Sequence, residues 1–168
     1  MWGKRIDKPR TKTAEQALSS LMALCARGER SSGDAYRLMT QWGVDREEQE
    51  AVVQRLIEER FIDNSRYAKA FVRDKMAFNG WGERKIAMEL SRKGVSREII
   101  ERELAEIDSE QSNEQLRRIL TAKMGSVKYK DRRDLQGKLI RFAISRGYST
   151  GVVYGVVNQI IGEIEEEW

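Results

Sequence analysis

The sequence predicts an all-α protein built as three tandem three-helix repeats, and three observations support this fold class. The 168-residue chain contains one proline, Pro9, and is rich in residues that favour helices. Apolar residues recur at helical spacing, and no segment shows the alternation of a half-buried strand. A stop-and-start signal also recurs, in which a glycine is followed by an apolar residue and then by an N-cap residue. The signals are Gly43-Val44-Asp45, Gly94-Val95-Ser96 and Gly147-Tyr148-Ser149.

The spacing of these signals indicates a repeated unit. Successive glycines lie 51 and 53 residues apart. Four residues before each glycine stands an apolar residue, namely Met39, Leu90 or Ala143. Diverged three-helix units in tandem are the simplest interpretation of this period. The sequence therefore predicts a basic flexible arm followed by three repeats, with these bounds: residues 1–12, 13–62, 63–108 and 109–168.

The helices of the first repeat are predicted from their caps. Thr13 and Gln16 have the spacing of a capping box and predict the start of the first helix. Ser31 or Ser32 opens the second helix. Asp45 precedes a third run of apolar residues at helical spacing, so we expect it to cap the third helix.

The second repeat begins with a turn after which Asp63 is expected to cap a helix. Tyr67, Phe71 and Phe78 fall within a narrow arc of that helix, which predicts one buried aromatic face. Residues 79–82, Asn-Gly-Trp-Gly, break the helix because glycine tolerates backbone angles that other residues resist. A shorter helix with an apolar face follows, and a further helix completes the unit.

In the third repeat we expect helices over residues 113–124 and 131–146, followed by a C-terminal helix. The last helix contains Gly151, Gly155 and Gly162. Each glycine inside a helix costs up to about 1 kcal/mol relative to alanine. We therefore expect close packing of a neighbouring helix to explain them.

Charge is distributed unevenly, although the net charge is only +4. Residues 117–146 contain ten basic and two acidic residues. Helical spacing places the basic residues of the second and third repeats opposite the apolar faces, which favours contact with nucleic acid or an acidic protein surface. Ordinary solvated helix faces are the alternative. The candidate contact residues are Arg66, Lys69, Arg73, Arg84, Lys85, Arg92, Lys93, Lys128, Lys130, Arg132, Arg133, Lys138 and Arg141.

Several function classes are disfavoured. The chain contains no histidine and no GxxxxGK[ST] phosphate loop, so we expect no enzymatic activity, cofactor or metal. Cys25 is the single cysteine and shares an apolar face with Leu18 and Leu21, which predicts a reduced core thiol. No apolar run approaches the roughly 20 residues of a membrane span, and the N-terminus lacks the apolar segment of a secretory signal. We therefore expect a cytoplasmic protein.

A more specific pattern links the first two repeats. The turn at Asp63 is followed by the pair Tyr67-Ala68, and Gly82 precedes an Arg-Lys-Ile run that ends in Lys93-Gly94. Over residues 14–108 the chain resembles the RecX family of recombinase regulators. Three segments carry the resemblance: RSSGDAYRLM, LIEERFIDNSRYAKAFV and GWGERKIAMELSRKGVSREII.

The resemblance implies a non-enzymatic protein whose tandem repeats form an elongated, curved molecule. It implies binding to RecA, chiefly to the RecA filament on single-stranded DNA, in the groove of that filament. We expect the protein to be a monomer. The implied effect is regulatory and mainly inhibitory, by blocking or destabilising the filament. Two positions depart from the family pattern. Asn64 stands where a second acidic residue is common, and Trp81 stands in a loop that is usually small or basic.

Two other functions remain open from the residues alone. A direct DNA- or RNA-binding helical protein would use the basic faces on phosphates, with Trp81 and Tyr129 as candidates for stacking on bases. A general helical scaffold for another protein is the third hypothesis. Binding to free DNA separates the nucleic-acid hypothesis from the others, and binding to RecA separates the regulator from the scaffold.

Overall fold

The computed structural model describes residues 12–166, and this part of the chain contains nine α-helices and no strand. Residues 1–11 of the predicted basic arm lie outside the described residues. The helices are α1 (Ala14–Arg27), α2 (Ser32–Gln41), α3 (Arg46–Glu58), α4 (Asn64–Asn79), α5 (Glu83–Arg92), α6 (Arg97–Ala105), α7 (Ser109–Met124), α8 (Arg132–Ser145) and α9 (Thr150–Glu166).

The helices pack as three successive groups of three, each around its own hydrophobic core. Leu21, Met39 and Leu56 are fully buried in the core of α1–α3. Ile86 and Leu90 are fully buried in the core of α4–α6. The core of α7–α9 is built from buried residues of all three helices, including Leu120, Leu139 and Val157. The all-α class and its tandem three-helix plan are confirmed, while the repeat bounds stay a prediction.

Most of the predicted caps form. The capping box of Thr13 and Gln16 is present, and Asp63 accepts from the backbone N–H of Arg66 at 3.0 Å. Asp45 occupies the predicted N-cap position of α3, but its side chain makes no cap hydrogen bond. Helix α7 begins four residues earlier than expected, because Asp108 caps it by accepting from the N–H of Glu110 at 2.9 Å.

The three signal glycines have positive φ angles, +74° at Gly43, +77° at Gly94 and +95° at Gly147. This left-handed conformation ends the middle helix of each group and turns the chain into the third helix. The apolar residues on both sides of each turn are buried: Met39, Val44, Leu90, Val95, Ala143 and Tyr148. The repeated signal therefore marks equivalent turns.

Successive groups are joined by backbone contacts, which we call joint 1 and joint 2. At joint 1, between the first and second groups, Gly33 N–H donates to the carbonyl of Lys93 at 3.1 Å. At joint 2, between the second and third groups, Gly82 N–H donates to the carbonyl of Arg146 at 2.8 Å. In each joint the N-terminus of a middle helix meets the C-terminus of the next middle helix. Helices α8, α5 and α2 therefore follow one another head to tail.

The first group has the same kind of acceptor at the end of its middle helix. There the carbonyl of Trp42 accepts from the N–H of Lys12 at 2.8 Å. The Lys12 amine also lies 4.0 Å from the centre of the Trp42 ring. The segment that leads into α1 thus occupies the position that a preceding group occupies at the two joints.

The predicted aromatic face of α4 fails at its last member. Tyr67 is buried and Phe71 packs against the same core, but Phe78 is 84% exposed. Trp81 takes the place expected for Phe78, with its ring 6.3 Å from that of Phe71 in an edge contact. The turn after α4 returns Trp81 to the core and leaves Phe78 outside it.

The packing explanation for the glycines of α9 is also wrong. A Cβ atom built on Gly151, Gly155 or Gly162 would meet no atom within 4 Å of its position. The buried side of α9 is instead formed by its valines and isoleucines, including Val153 and Val157. The glycines lie on the opposite side, and nothing in the structure explains them.

Candidate partner-binding surface

The basic side chains predicted on α4 and α5 mostly have acidic partners within the protein. Carboxylates of the first group reach two of them, and neighbours along the helix reach two others. Such pairing reduces the positive charge available to an external partner. The pairs are Arg66–Glu29 (2.5 Å), Arg73–Asp74 (3.0 Å), Arg92–Glu89 (2.8 Å) and Lys93–Asp34 (3.1 Å).

Two of these pairs belong to joint 1. Arg66 and Lys93 lie in the second group, whereas their partners Glu29 and Asp34 lie in the first. Their role shown by the structure is to hold successive groups together. Sequence reasoning missed this role because the partners are 37 and 59 residues away along the chain.

Lys85 and Trp81 form a packed cluster at the start of α5. The amines of Lys75 and Lys85 lie 4.9 and 4.6 Å from the centre of the Trp81 ring. Because cations are attracted to an aromatic face, the two lysines cover this ring. Trp81 thus packs as a partly buried core residue, which disfavours its predicted role in stacking on bases.

The remaining predicted residues of these two helices differ in their surroundings. Lys69 lines a groove that also contains Glu103, Glu106 and Asp108. Its positive charge therefore lies close to several carboxylates. The Arg84 side chain is exposed and forms no ion pair with any described residue, while its backbone N–H donates to Gly147 at 2.9 Å in joint 2.

The third group presents a different arrangement around the start of α8. Lys128, Lys130, Arg133 and Arg141 are exposed, and none of these four forms an ion pair with a described carboxylate. Lys138 donates to the carbonyl of Lys128 at 2.7 Å, which holds the preceding loop against α8. We name the basic surface by its six residues: Lys128, Lys130, Arg132, Arg133, Lys138 and Arg141.

The two carboxylates within this stretch are occupied locally. Asp131 caps α8 by accepting from the N–H of Asp134 at 2.8 Å. Asp134 accepts from the Lys138 amine at 2.8 Å and from the N–H of Lys130 at 3.1 Å. These hydrogen bonds, with that from Lys138 as the largest cause, lower the pKa of Asp134. Both acids therefore organise the surface, and most of its positive charge faces solvent.

Metal-binding clusters, the single thiol and membrane-spanning helices can each be assessed in the described part of the chain. Within residues 12–166, no cluster of three or more cysteine, aspartate and glutamate side chains is arranged to hold a metal ion. Cys25 packs beside the first core, and burial raises the pKa of its thiol, so the nucleophilic thiolate is disfavoured. No helix in the described part of the chain has the length and apolar character needed to cross a membrane.

Sequence comparison adds a family to this geometry. Residues 63–104 match the family model described as RecX, second three-helix domain. Regulatory protein RecX of Mycobacterium sp. (strain JLS) is 31% identical over 160 residues, which cover 90% of this chain and 85% of that protein. Regulatory protein RecX of Clostridium botulinum (strain Eklund 17B / Type B) is 34% identical over 121 residues, or 71% of this chain. The match spans only 56% of that clostridial relative.

Solved structures support the same fold. A crystal structure of regulatory protein RecX superimposes with a TM-score of 0.80 at 19% identity, covering 86% of this chain and 73% of that one. The crystal structure of RecX from Lactobacillus salivarius gives a TM-score of 0.76 at 16% identity, covering 87% and 95% of the two chains. At these identities the likeness concerns the arrangement of the helices.

Proposed function

Since the chain belongs to the RecX family, we propose that it regulates the RecA recombinase by binding the RecA filament on single-stranded DNA. The proposed effect is mainly inhibitory, with the protein lying in the filament groove and blocking or destabilising the filament. In this proposal the protein acts in the cytoplasm as a monomer, without a cofactor or a reaction of its own.

The observation that carries the proposal is the basic surface of the third group. Four of its cations, Lys128, Lys130, Arg133 and Arg141, are exposed and form no ion pair with a described carboxylate. By contrast, four of the seven basic residues predicted on α4 and α5 do form such pairs. Exposed cations of this kind attract anionic partners from solution and orient them on approach. A nucleoprotein filament supplies such a partner through its DNA phosphates and acidic side chains.

The tandem arrangement supports binding to a repeated partner. Two joints link the three groups in series, so contact by one group raises the effective concentration of the others at the filament. Several weak contacts then add to a useful affinity. A filament, which repeats the same subunit along its length, can offer each group a similar site.

The test is RecA-dependent ATP hydrolysis on single-stranded DNA, titrated with the full chain and with the double variant Arg133→Glu, Arg141→Glu. We expect the wild type to inhibit hydrolysis, and the variant to need roughly tenfold more protein at low salt, at about 0.5–1 kcal/mol per lost ion contact. The difference should shrink as salt rises, because exposed charges are screened.

The matched control is Arg97→Glu, Arg102→Glu on α6, which changes net charge equally at exposed positions among acidic residues. It should inhibit as the wild type does. Equal loss in both variants would show that only total charge matters and would remove the basic surface from the interface. Failure of the wild type to affect hydrolysis at any concentration would refute the proposed regulation.

The second candidate function, a direct DNA- or RNA-binding helical protein, draws on the same exposed cations. It is separated by measuring binding to free duplex and single-stranded oligonucleotides without RecA. Tight binding to free DNA together with unchanged RecA activity would favour the nucleic-acid function. Inhibition at protein concentrations far below those needed for free DNA would favour filament recognition.

A further inference from the structure

Phe78 is the most exposed of the large hydrophobic residues in the described structure. The residue is 84% exposed near the end of α4, although phenylalanine is usually buried. Trp81 fills the core position next to Phe71, so the fold has no internal place for a second ring there. The ring of Phe78 is thus a free aromatic face at the surface.

The surroundings of this ring are cationic. Phe78 lines a cleft together with residues of α7 and of the end of α8. The cleft has a volume of about 280 Å³, and none of its described lining residues is acidic. Two guanidinium groups line it, those of Arg118 from α7 and Arg146 from the end of α8.

Neither arginine pairs with a carboxylate among the described residues. Arg118 is exposed and forms no ion pair with a described residue. The Arg146 guanidinium lies 5.2 Å from the centre of the Phe142 ring, a contact that leaves its positive charge in place. A ligand in this cleft therefore meets an aromatic face and two unpaired cations.

The cleft is held in shape by contacts between the second and third groups. Gly80 ends α4 in the left-handed conformation with φ +62°, and a Cβ there would lie 2.7 Å from Cδ1 of Ile119. The Gln115 side chain donates to the carbonyl of Met76, and the Tyr148 hydroxyl donates to that of Gly80 at 3.3 Å. These contacts fix the end of α4 against α7, so the position of the ring is built into the fold.

We propose that this Phe78 cleft binds a nucleotide of single-stranded nucleic acid. The base stacks on Phe78, while Arg118 and Arg146 contact the flanking phosphates. The exposed Asn79 also lines the cleft, and its amide can hydrogen-bond a base edge. A base inside a duplex already stacks on its neighbours, so the cleft selects single strands. This site goes beyond regulation of a recombinase, because it concerns the nucleic acid itself.

The experiment measures binding of a fluorescent oligothymidylate, about 20 nucleotides long, to the full chain and to its Phe78→Ala variant. Base–aromatic stacking predicts an affinity loss of about five- to a hundredfold. Phe78→Trp keeps a stacking ring and should bind within about twofold of the wild type. Arg118→Gln should lower the slope of log affinity against log salt by about 0.7, the value for one contact to a single strand.

The matched control is Tyr154→Ala, which removes another exposed aromatic ring, on α9. It should leave oligothymidylate binding unchanged, and circular dichroism should show that all variants remain helical. Unchanged binding by Phe78→Ala would overturn the proposal, as would equal losses in Phe78→Ala and Tyr154→Ala. Phe78-dependent binding of polyglutamate without binding of oligothymidylate would also overturn it, in favour of an acidic protein partner.

Failure of this site and failure of the proposed regulation give different results. If Phe78→Ala loses oligothymidylate binding but still inhibits RecA-dependent hydrolysis, both proposals stand and the two activities are separate. If the wild type binds oligothymidylate through Phe78 without affecting hydrolysis, the cleft stands and the proposed regulation fails.

Discussion

Joint 1 and joint 2 use the same backbone contact but are reinforced by different side chains. At joint 1 the Lys93 amine lies 3.1 Å from a carboxylate oxygen of Asp34, whose side chain is only 7% exposed. Ser32 and Asn64 add two reciprocal hydrogen bonds of 3.0 and 2.9 Å. Joint 1 is therefore a polar connection with a charged pair near its centre.

Joint 2 is made largely of backbone and neutral groups. The N–H of Arg84 donates to the carbonyl of Gly147 at 2.9 Å, beside the contact from Gly82. The Tyr148 hydroxyl reaches the carbonyl of Gly80 at 3.3 Å. The same close backbone contact is therefore reinforced by a charged pair at joint 1 and by neutral groups at joint 2. We therefore expect acid to weaken joint 1 and alkali to weaken joint 2.

The largest expected effect comes from Gly147→Ala, which disrupts the close backbone contact at joint 2. Its φ of +95° disfavours a side chain, and the added Cβ would lie 2.4 Å from the Cβ of Lys85. We expect a loss of roughly 2–4 kcal/mol in the free energy of unfolding, measured by denaturant titration. The control Gly151→Ala faces open space in α9 and should instead gain up to about 1 kcal/mol. Equal midpoints for the two variants would contradict the tight contact.

Gly33→Ala extends that test to joint 1, and its effect should be somewhat smaller. An added Cβ would lie 2.1 Å from the carbonyl oxygen of Lys93, but no positive φ adds to the cost. We expect a loss of about 1–3 kcal/mol in the free energy of unfolding. A free energy of unfolding equal to that of the wild type would contradict the close approach of Gly33 to the Lys93 carbonyl.

The next effect concerns the charged pair of joint 1. Burial raises the pKa of Asp34, but the hydrogen bond and charge of Lys93, aided by Ser31, outweigh it and lower the pKa below the ordinary value of 3.8. The ionised carboxylate therefore favours the folded state. Its contribution is present above the ordinary pKa and is lost as pH falls through the lower folded pKa.

Asp34→Asn should cost about 1–3 kcal/mol at pH 7, because it removes a charged hydrogen-bond partner from a buried site. The gap between wild type and variant should narrow as thermal unfolding is repeated from pH 5 toward pH 2. Glu101→Gln, in the exposed pair with Arg97, is the control and should cost less than about 1 kcal/mol. A gap that stays constant with pH would contradict the role of the carboxylate.

The smallest effect is expected at joint 2 from Tyr148→Phe. Losing one neutral hydrogen bond should cost about 0.5–1.5 kcal/mol at neutral pH. Burial raises the pKa of the Tyr148 phenol to about 12, so its protonated form favours the folded state. That contribution is full below the ordinary pKa of 10.0 and is lost as pH rises toward 12.

The measurement is chemical unfolding of wild type and Tyr148→Phe between pH 8 and pH 11. The wild type should lose more stability than the variant over this range. Tyr154→Phe removes an exposed phenol of α9 and should follow the wild type. Identical alkaline curves for wild type and Tyr148→Phe would exclude the phenol as the source of sensitivity.

Local signals in the sequence predicted much of this fold. Asp63 as a cap and Gly94 as a left-handed stop depend on a few neighbouring residues, so both were foreseen. The exposure of Phe78 was not, because Phe78 and Trp81 compete for one core position. The turn between α4 and α5 decides that competition through its three-dimensional path.

The candidate site was harder to predict than the helices. A basic stripe in the sequence does not show which of its members meet carboxylates from another group. Lys93 and Arg133 look alike in sequence, yet Lys93 is paired across joint 1 and Arg133 is exposed. Only the packing of groups separates a residue that builds the protein from one available to a partner.

The joints also have a consequence for self-assembly. Repeats joined head to tail can in principle continue from one molecule to the next and grow into a fibre. Here the acceptor at the end of α2 is already occupied by the N–H of Lys12. At the start of α8, Asp131 and Arg133 stand at the N-cap and second helical positions, where Gly82 and Gly33 make the close approach in the joints. Bulky charged side chains at one end and an occupied acceptor at the other therefore act against polymerisation of the protein with itself.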